Sequence, residues 1–187
     1  MLLLIPVAAR AVDQETIDRF IFLLQQPEGN PWGDGTFDDT MLLEGLGAIY
    51  TQAVADEDDV MLRRVVWAMG ETGIVAFVPS IIESLEPEPV VACYALGKLA
   101  SEDGVYALMG MLDNEDMQVR DAAVWGLGSL PYQTGMEQAR EDALAALNAR
   151  IPLEEETWVL EDISAAIMFI ETGIAATEAF AEPIDSD

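Results

Sequence analysis

The second half of the chain contains the stretch Asp116-Met-Gln-Val-Arg-Asp-Ala-Ala-Val-Trp-Gly-Leu-Gly128, in which apolar and small residues recur at intervals of three and four. This spacing is typical of an amphipathic helix. It places one stripe of residues toward a core: Val119, Ala122, Ala123, Gly126, Leu127 and Leu130. Small residues inside the stripe permit close approach of a neighbouring helix. The acids at 113–116 suit the start of this helix, where carboxylates accept backbone N–H groups.

Working outward, the same pattern recurs along the chain. Residues 61–70 and 91–97 align with 119–128, and each segment ends in an aromatic, a small, an aliphatic residue and glycine. A weaker copy at 44–47 lacks the aromatic, and a degenerate copy spans 165–173. Gly73, Gly104 and Gly135 fall 31 residues apart, and we expect each to open the next unit. A period of this length predicts one helical hairpin per unit.

Glycine and proline set the expected boundaries of these helices. In the third unit, residues 104–112 form a first helix, with Val105, Leu108, Met109 and Leu112 on one face. Gly128 and Gly135 are expected to end the second helix and turn the chain. Pro79 is expected to kink a first helix over 74–85. Near the N-terminus, residues 13–26 predict a helix with Asp13 as its N-cap.

The repeated stretch resembles HEAT repeats of the short type named after phycobilisome lyases, whose pattern is similar to Asp…Val-Arg-x-Ala-Ala-x-aromatic-Ala-Leu-Gly. The copy at 61–70 keeps Trp67 and Gly70, but Leu62 stands at the arginine position and Arg63 follows one place later. The copy at 88–97 has Glu88-Pro89 in place of Val-Arg. The resemblance covers roughly residues 40–135. It implies an all-α, right-handed α-solenoid of about five hairpins, with the second helices lining the concave surface.

We therefore expect a single domain over 1–187. It divides into an N-terminal cap helix and loop at 1–39, core repeats at 40–135, and a divergent C-terminal repeat, cap and acidic tail at 136–187. The loop at 27–39 is rich in Gly and Pro and predicts a plain surface loop. Its oxygen-bearing side chains do not follow the spacing of a calcium-binding EF-hand loop, so we predict no metal site there. These side chains belong to Asn30, Asp34, Asp38 and Asp39.

Composition excludes several classes of protein. The 187 residues include 8 Lys+Arg against 35 Asp+Glu and no histidine, and the net charge is −27. Such a charge repels phosphate and argues against direct binding of nucleic acid. The absence of histidine excludes histidine-dependent triads and histidine-ligated zinc. The lone Cys93 lies among core residues of a helix and is predicted to be a buried structural thiol rather than a nucleophile.

Location is also predicted from the sequence. Residues 1–9 are apolar but lack the basic region and the longer apolar stretch of a secretory signal. No other stretch has the roughly 20 apolar residues of a membrane span. We expect a cytoplasmic protein that does not enter a membrane, with export as the alternative.

The acids concentrate in the turns between the first and second helices of the units. Stacked units bring equivalent turns side by side, about 10 Å apart, which predicts a ridge of negative charge that we name the acidic edge. Helix capping, adaptation to high salt (Lys98 is the only lysine) and docking of a basic protein all remain open as its role. The acidic edge comprises Asp56, Glu57, Asp58, Asp59, Glu86, Glu88, Asp113, Glu115, Asp116, Glu154, Glu155 and Glu156.

A row of aromatic residues occupies one position of three units. We name Trp67, Tyr94 and Trp125 the aromatic row and predict that it lies off the core stripe, on the concave face. The flanking charged residues are Arg63, Lys98 and Asp121. Such a surface suits partner binding, and packing between neighbouring units is the other interpretation.

These features favour a non-catalytic scaffold or adaptor, without a cofactor, that binds a protein partner carrying a basic patch. The family resemblance implies one alternative: a bilin lyase-like or chaperone-like subunit that handles an open-chain tetrapyrrole or its acceptor protein. In this alternative, the aromatic row would stack on the tetrapyrrole, and Arg63 and Arg120 would bind the propionate groups of the tetrapyrrole. A second alternative is an acidic inhibitor that mimics nucleic acid.

Overall fold

The computed structural model describes residues 12–26 and 31–173, and this part of the chain is helical, with no β-strand. The predicted all-α class is confirmed for these residues. A short 3₁₀ turn at Val75–Phe77 precedes the fourth α-helix, and another at Ile151–Leu153 follows the eighth. The α-helices of the described residues are α1 Gln14–Leu24, α2 Asp39–Ala55, α3 Asp59–Glu71, α4 Val78–Glu83, α5 Pro89–Leu96, α6 Glu102–Met111, α7 Met117–Ser129, α8 Glu137–Arg150 and α9 Thr157–Thr172.

Side-chain oxygens cap the starts of several helices, as the acids in the turns predict. Asp13 accepts a hydrogen bond from the backbone N–H of Thr16 at 2.8 Å, which confirms it as the N-cap of α1. Asp116 accepts the N–H of Gln118 at 2.8 Å at the start of α7. Asp38, Asp58 and Ser101 cap α2, α3 and α6 in the same way.

The helices form successive hairpins. Four hairpins are formed by consecutive helices that pack together, namely α2 with α3, α4 with α5, α6 with α7, and α8 with α9. The second helices of these pairs form one series of contacts, from α3 to α5 to α7 to α9. The first helices form another, from α4 to α6 to α8, and α1 packs against both α2 and α3. The repeat register of the sequence therefore corresponds to repeated helix contacts.

The glycine that ends each repeated segment brings neighbouring second helices into close contact. Gly70 lies against Ala95, where an added Cβ would come within 2.6 Å of the Ala95 Cα. At Gly97 an added Cβ would lie 2.6 Å from the Cα of Gly126, closer than real Cβ contacts come. Gly128 meets Ala166 in the same manner. In each case the glycine of one unit packs on the small residue of the next, which explains why the segment ends in small, aliphatic, glycine.

Two predicted glycine boundaries are wrong. Helix α7 continues through Ser129 and ends just before Pro131, so Gly128 is a packing residue and not a helix terminator. Gly104 does not open a unit, because the Ser101 hydroxyl begins α6 three residues earlier and accepts the N–H of Gly104 at 3.3 Å. Gly73 and Gly135 do adopt positive φ angles, of 70° and 100°, at turns between helices.

Pro79 and the weak copy at 44–47 also differ from expectation. Pro79 lies in the first turn of α4, where its missing N–H leaves no intrahelical bond unmade, so it starts a helix instead of kinking one. The copy at 44–47 lies in α2, a first helix, whereas the other copies lie in second helices. Its Gly45 faces the ring of Phe20 in α1 and does not join the series of glycine contacts.

The loop before α2 is not a plain surface loop. Trp32 and Phe37 are 2% and 8% exposed and pack around Phe20 of α1, with ring centroids 5.3 and 4.8 Å from it. Arg19 lies over the Phe37 ring, 5.0 Å from its centroid. Aromatic side chains thus anchor this irregular segment to the core, although its Gly and Pro content prevents a helix.

The buried apolar side chains form one continuous cluster that extends from Phe20 to Ile170. In the predicted stripe of α7, Ala122, Ala123, Leu127 and Leu130 belong to this cluster, and Val119 is buried as well. Three sequence predictions fall outside the described residues: the apolar segment 1–9, Asn30 as a candidate cation ligand, and the acidic tail that follows Phe180.

Candidate functional site

The aromatic row lies on three neighbouring second helices, with Trp67 on α3, Tyr94 on α5 and Trp125 on α7, and each side chain is half-buried. The structure brings Tyr94 and Trp125 together edge to face, with ring centroids 4.9 Å apart. Trp67 and Tyr94 pack against the core with part of each ring exposed, which supports a packing role for them, and the binding role of the row stays a prediction. Because the glycine contacts hold the helix backbones close together, large rings beside them fill the space between helices.

The cations beside the row bind carboxylates on neighbouring helices. Arg63 of α3 makes a bidentate ion pair with Glu88, its Nε and Nη2 atoms lying 2.9 and 3.0 Å from the carboxylate oxygens. This hydrogen bond raises the pKa of the Arg63 guanidinium. Lys98, in the turn just after α5, pairs with Glu71 at the end of α3. These flanking residues therefore hold α3 and α5 together, and each presents a charge that is already balanced.

Asp121, the third flanking residue, lies opposite another acid. Its carboxyl is hydrogen-bonded to Asp162 of α9. Burial, followed by this hydrogen bond and the negative charge of Asp162, raises the pKa of Asp121 to about 7. The Oδ1 atom of Asp121 is buried and has no hydrogen-bond partner among the described residues. The two carboxyls thus form an acid pair that joins α7 to α9.

Sequence reasoning missed Asp162 and Trp158 on α9. Trp158 is 39% exposed and lies one helical turn before Asp162. Neither stands in a recognisable motif, because both precede the degenerate copy at 165–173. A weak signal exists in the spacing: an acid and a tryptophan stand four residues apart on α9, as Asp121 and Trp125 do on α7.

The residues of the acidic edge lie in the four turns that join first to second helices: α2 to α3, α4 to α5, α6 to α7 and α8 to α9. Most of them are exposed, but two of the predicted positions are not part of a solvated ridge. Glu88 and Glu154 are 9% and 7% exposed, and both bind arginine side chains. They are buried because the arginine that begins one second helix reaches the turn before the next.

Glu154 is at the centre of the larger of these ion-pair clusters. The Nε and Nη2 atoms of Arg120 lie 2.8 and 2.9 Å from its two oxygens, and Arg150 also binds it, at 3.1 Å. The hydrogen bond from Arg120 lowers the pKa of Glu154 to about 2, with smaller contributions from the backbone N–H of Glu156 and from Arg150. Arg120 additionally donates to the carbonyl of Asn114 at 2.9 Å, which ties the α6–α7 turn to the α8–α9 turn.

The cations of the described residues are largely occupied by such contacts. Arg63, Lys98, Arg120 and Arg150 bind carboxylates. Arg140 donates to the carbonyls of Ile170 and Glu171 at the end of α9, and Arg19 covers the Phe37 ring. Arg64 is exposed on α3. Arg19 and Arg63 are exposed as well, but because most of these cations are engaged in contacts within the structure, the exposed acids greatly outnumber the unpaired positive charges.

A cavity of about 450 Å³ lies between the end of α7, the start of α8 and the end of α9. Its walls include Leu130, Tyr132 and Phe169 together with polar side chains such as Gln133 and Glu137. The Tyr132 hydroxyl donates to the carbonyl of Leu127 at 3.2 Å, and burial raises its pKa. Glu137 accepts the N–H of Gly135 at 3.0 Å. The Tyr132 hydroxyl and the Glu137 carboxylate therefore serve hydrogen bonds to the backbone beside the cavity.

The thiol of Cys93 is buried, as predicted, and burial raises its pKa to about 12, so it is protonated at neutral pH. Within the described ranges, no group of three or more His, Cys, Asp or Glu side chains is arranged to hold a metal ion. In the loop before α2, Asp34 instead accepts the N–H of Thr36 at 2.8 Å, and Asp38 caps α2. No helix in residues 12–26 or 31–173 has the length and hydropathy needed to span a membrane.

Comparison with known proteins gives no relative: no protein-family model matches the chain, and no curated protein is significantly similar to it. The resemblance to HEAT repeats therefore stays a prediction based on the repeated segments.

Proposed function

We propose that this chain is a non-catalytic scaffold or adaptor whose hairpins form a right-handed α-solenoid and bind a basic protein partner. One observation carries the proposal: most of the cations are paired with carboxylates or backbone carbonyls of the same chain, whereas most of the acids in four equivalent turns are exposed. A surface of one sign attracts a partner of the opposite sign, which raises the association rate and the specificity.

The face of the aromatic row supplies the apolar part of the proposed interface. Its rings are half-buried and held in place by packing, so little side-chain freedom is lost when a partner covers them. Exposed Trp158 on α9 extends this surface beyond α7. Rigid aromatic groups beside charged side chains are typical of residues that contribute most to binding.

The alternative function in tetrapyrrole handling has less support. Arg63 and Arg120, which that function would place at the propionates, are both bound to carboxylates. A propionate would have to displace Glu88 or Glu154 from a bidentate contact with its arginine, and both carboxylates are buried. The proposed scaffold requires no change in the ion pairs of Arg63 and Arg120.

The structure allows a sharp test of the acidic edge, because its exposed acids can be separated from those that cap or pair. The edge variant replaces four exposed glutamates by glutamine: Glu86, Glu115, Glu155 and Glu156. A matched control makes the same change at four exposed glutamates outside these turns: Glu15, Glu102, Glu141 and Glu161. Both variants lose the same charge and keep Asp58, Asp116, Glu88 and Glu154.

The immobilised protein is used to capture partners from a lysate of its source, and captured proteins are identified, purified and titrated. We expect a basic partner whose dissociation constant rises at least tenfold with the edge variant and changes little with the control. Binding should also weaken steeply between low salt and 0.5 M NaCl. A partner that binds the edge variant and the unmodified protein equally well would contradict the role of the edge. Unchanged affinity of folded Trp67→Ala and Trp125→Ala variants would assign the aromatic row to packing alone.

A further inference from the structure

Asp121 on α7 and Asp162 on α9 stand on two second helices that pack against each other, and the carboxyl of Asp121 is hydrogen-bonded to that of Asp162. A hydrogen bond between two carboxyl groups requires a proton on one of them, because an ionised carboxylate can only accept. One oxygen of Asp121 is buried without a partner, which makes ionisation of this residue costly. The contact is therefore stable only while the proton is present.

The charged groups around the pair do not replace that proton. On α7 itself, Arg120 is bound to Glu154 and Asp116 caps the helix. On α5, which packs against the other side of α7, the Cys93 thiol is buried and Tyr94 contacts Trp125, and Lys98 in the turn after α5 is paired with Glu71. The remaining ionisable groups of the neighbouring helices are Glu102, Asp103 and Tyr106 on α6, Glu137, Arg140, Glu141, Asp142 and Arg150 on α8, and Glu161 and Glu171 on α9.

The cations on α8 are committed elsewhere. Arg140 donates to backbone carbonyls at the end of α9, and Arg150 binds Glu154 and Asp113. On α6, Tyr106 donates to Asp142 of α8 at 3.1 Å. None of these cations forms an ion pair with Asp121 or Asp162. The pair is therefore an isolated acidic contact at the interface of the two helices.

We propose that Asp121 and Asp162 share one proton and form a pH-sensitive clasp, which holds α9 against α7 and releases it when the proton is lost. After that loss, two carboxylates face each other at a packed interface, and their repulsion acts on the last hairpin of the described chain. The proposal concerns regulation by pH and is independent of any partner.

The direction of the effect follows from proton linkage. The pKa of Asp121 is about 7 in the folded protein, above its ordinary value of 3.8, so the folded state binds more protons than the unfolded state between these values. Stability must then fall as the pH rises through this range, and it levels off above about pH 7. One group of this kind raises the unfolding equilibrium constant by up to about tenfold per pH unit.

The test measures urea unfolding of the full chain between pH 5 and pH 8, with hydrogen exchange of the α9 amides corrected for the intrinsic effect of pH. In the unmodified protein, we expect the unfolding constant to rise from pH 5 to pH 7 and the protection of α9 to fall relative to α3. In Asp121→Asn, the amide can still donate to Asp162 but carries no titrating proton, so this rise should disappear. In Asp162→Asn the rise should become smaller, because burial of Asp121 remains.

Glu161→Gln is the matched control, since it removes an exposed acid from α9 next to the pair and should retain the rise of the unmodified protein. The titration of the aspartate carboxyl carbons by NMR provides a second measurement that does not depend on variants. We expect one aspartate to titrate near neutral pH. The clasp is overturned if every aspartate titrates below about pH 5, or if Asp121→Asn unfolds with the same dependence on pH as the unmodified protein.

Discussion

Individual arginine residues show where prediction from sequence reaches its limit. Arg63 and Arg120 stand out in the repeated segments, and the sequence alone suggests that their charges face a ligand. The structure pairs Arg63 with Glu88 and Arg120 with Glu154, which lie 25 and 34 residues further along the chain. No local pattern links such distant residues. The link becomes visible only when consecutive units are stacked, because each acid then stands in the turn beside the arginine of the unit before it.

Replacement of Arg120 by alanine should destabilise the protein by about 3 kcal/mol, because Glu154 would stay buried with only Arg150 as its cationic partner. The measurement is the free energy of unfolding in urea at pH 7. Asp113→Ala serves as the control, since this partner of Arg150 is 82% exposed and its loss should cost less than about 1 kcal/mol. Equal effects of the two substitutions would show that the buried position of Glu154 has no energetic importance.

At the scale of the helices, the sequence predicts which segments are helical and which stripe is buried. It predicts less well what each glycine does. Gly128 has the sequence context of a helix terminator, yet it lies inside α7 against Ala166. Whether a glycine ends a helix or admits a neighbouring one depends on the other helix, and that information is not local. The aromatic residues of the loop before α2 show the same limit, because their burial depends on Phe20 of α1.

Gly97→Ala tests the contact between α5 and α7. The added methyl group would lie 2.6 Å from Gly126 Cα and 2.9 Å from its carbonyl oxygen, both of them backbone atoms that cannot rotate away. We expect a loss of about 2 kcal/mol in unfolding free energy, as for other overpacked cores. Gly110→Ala is the control on α6, where no atom lies within 4 Å of the added Cβ. There alanine should stabilise the helix by up to about 1 kcal/mol. A neutral Gly97→Ala would show that the helices can separate at little cost.

For the whole molecule, the net charge of −27 is the property whose interpretation changes most. Composition shows the excess of acidic residues, but it does not show which groups the few basic side chains bind. The structure uses those cations between helices, so the negative charge at the surface is scarcely offset there. Two acids of the predicted edge are withdrawn from solvent in the process. The edge is therefore a row of exposed carboxylates beside two ion pairs, in which the carboxylates of Glu88 and Glu154 are buried.

Salt should accordingly stabilise the folded chain. The exposed carboxylates repel one another, and ions screen this repulsion over about 10 Å at 0.1 M ionic strength. We expect the thermal midpoint to rise by a few degrees between 10 mM and 200 mM NaCl, while the protein stays folded at the lower concentration. Differential scanning calorimetry measures this directly. Unfolding on removal of salt would instead indicate a protein adapted to a high-salt environment, and a midpoint that falls with salt would contradict net repulsion.

Cys93 is the single thiol of the chain, and it is buried in α5, between α3 and α7 in the series of second helices. A thiol reagent can reach it only when α5 separates from its neighbours. The rate of thiol labelling therefore measures how fast α5 separates from α3 and α7, and no probe has to be introduced into the protein. Comparison of this rate with the loss of helical circular dichroism would distinguish an array that opens all at once from one that comes apart from its ends.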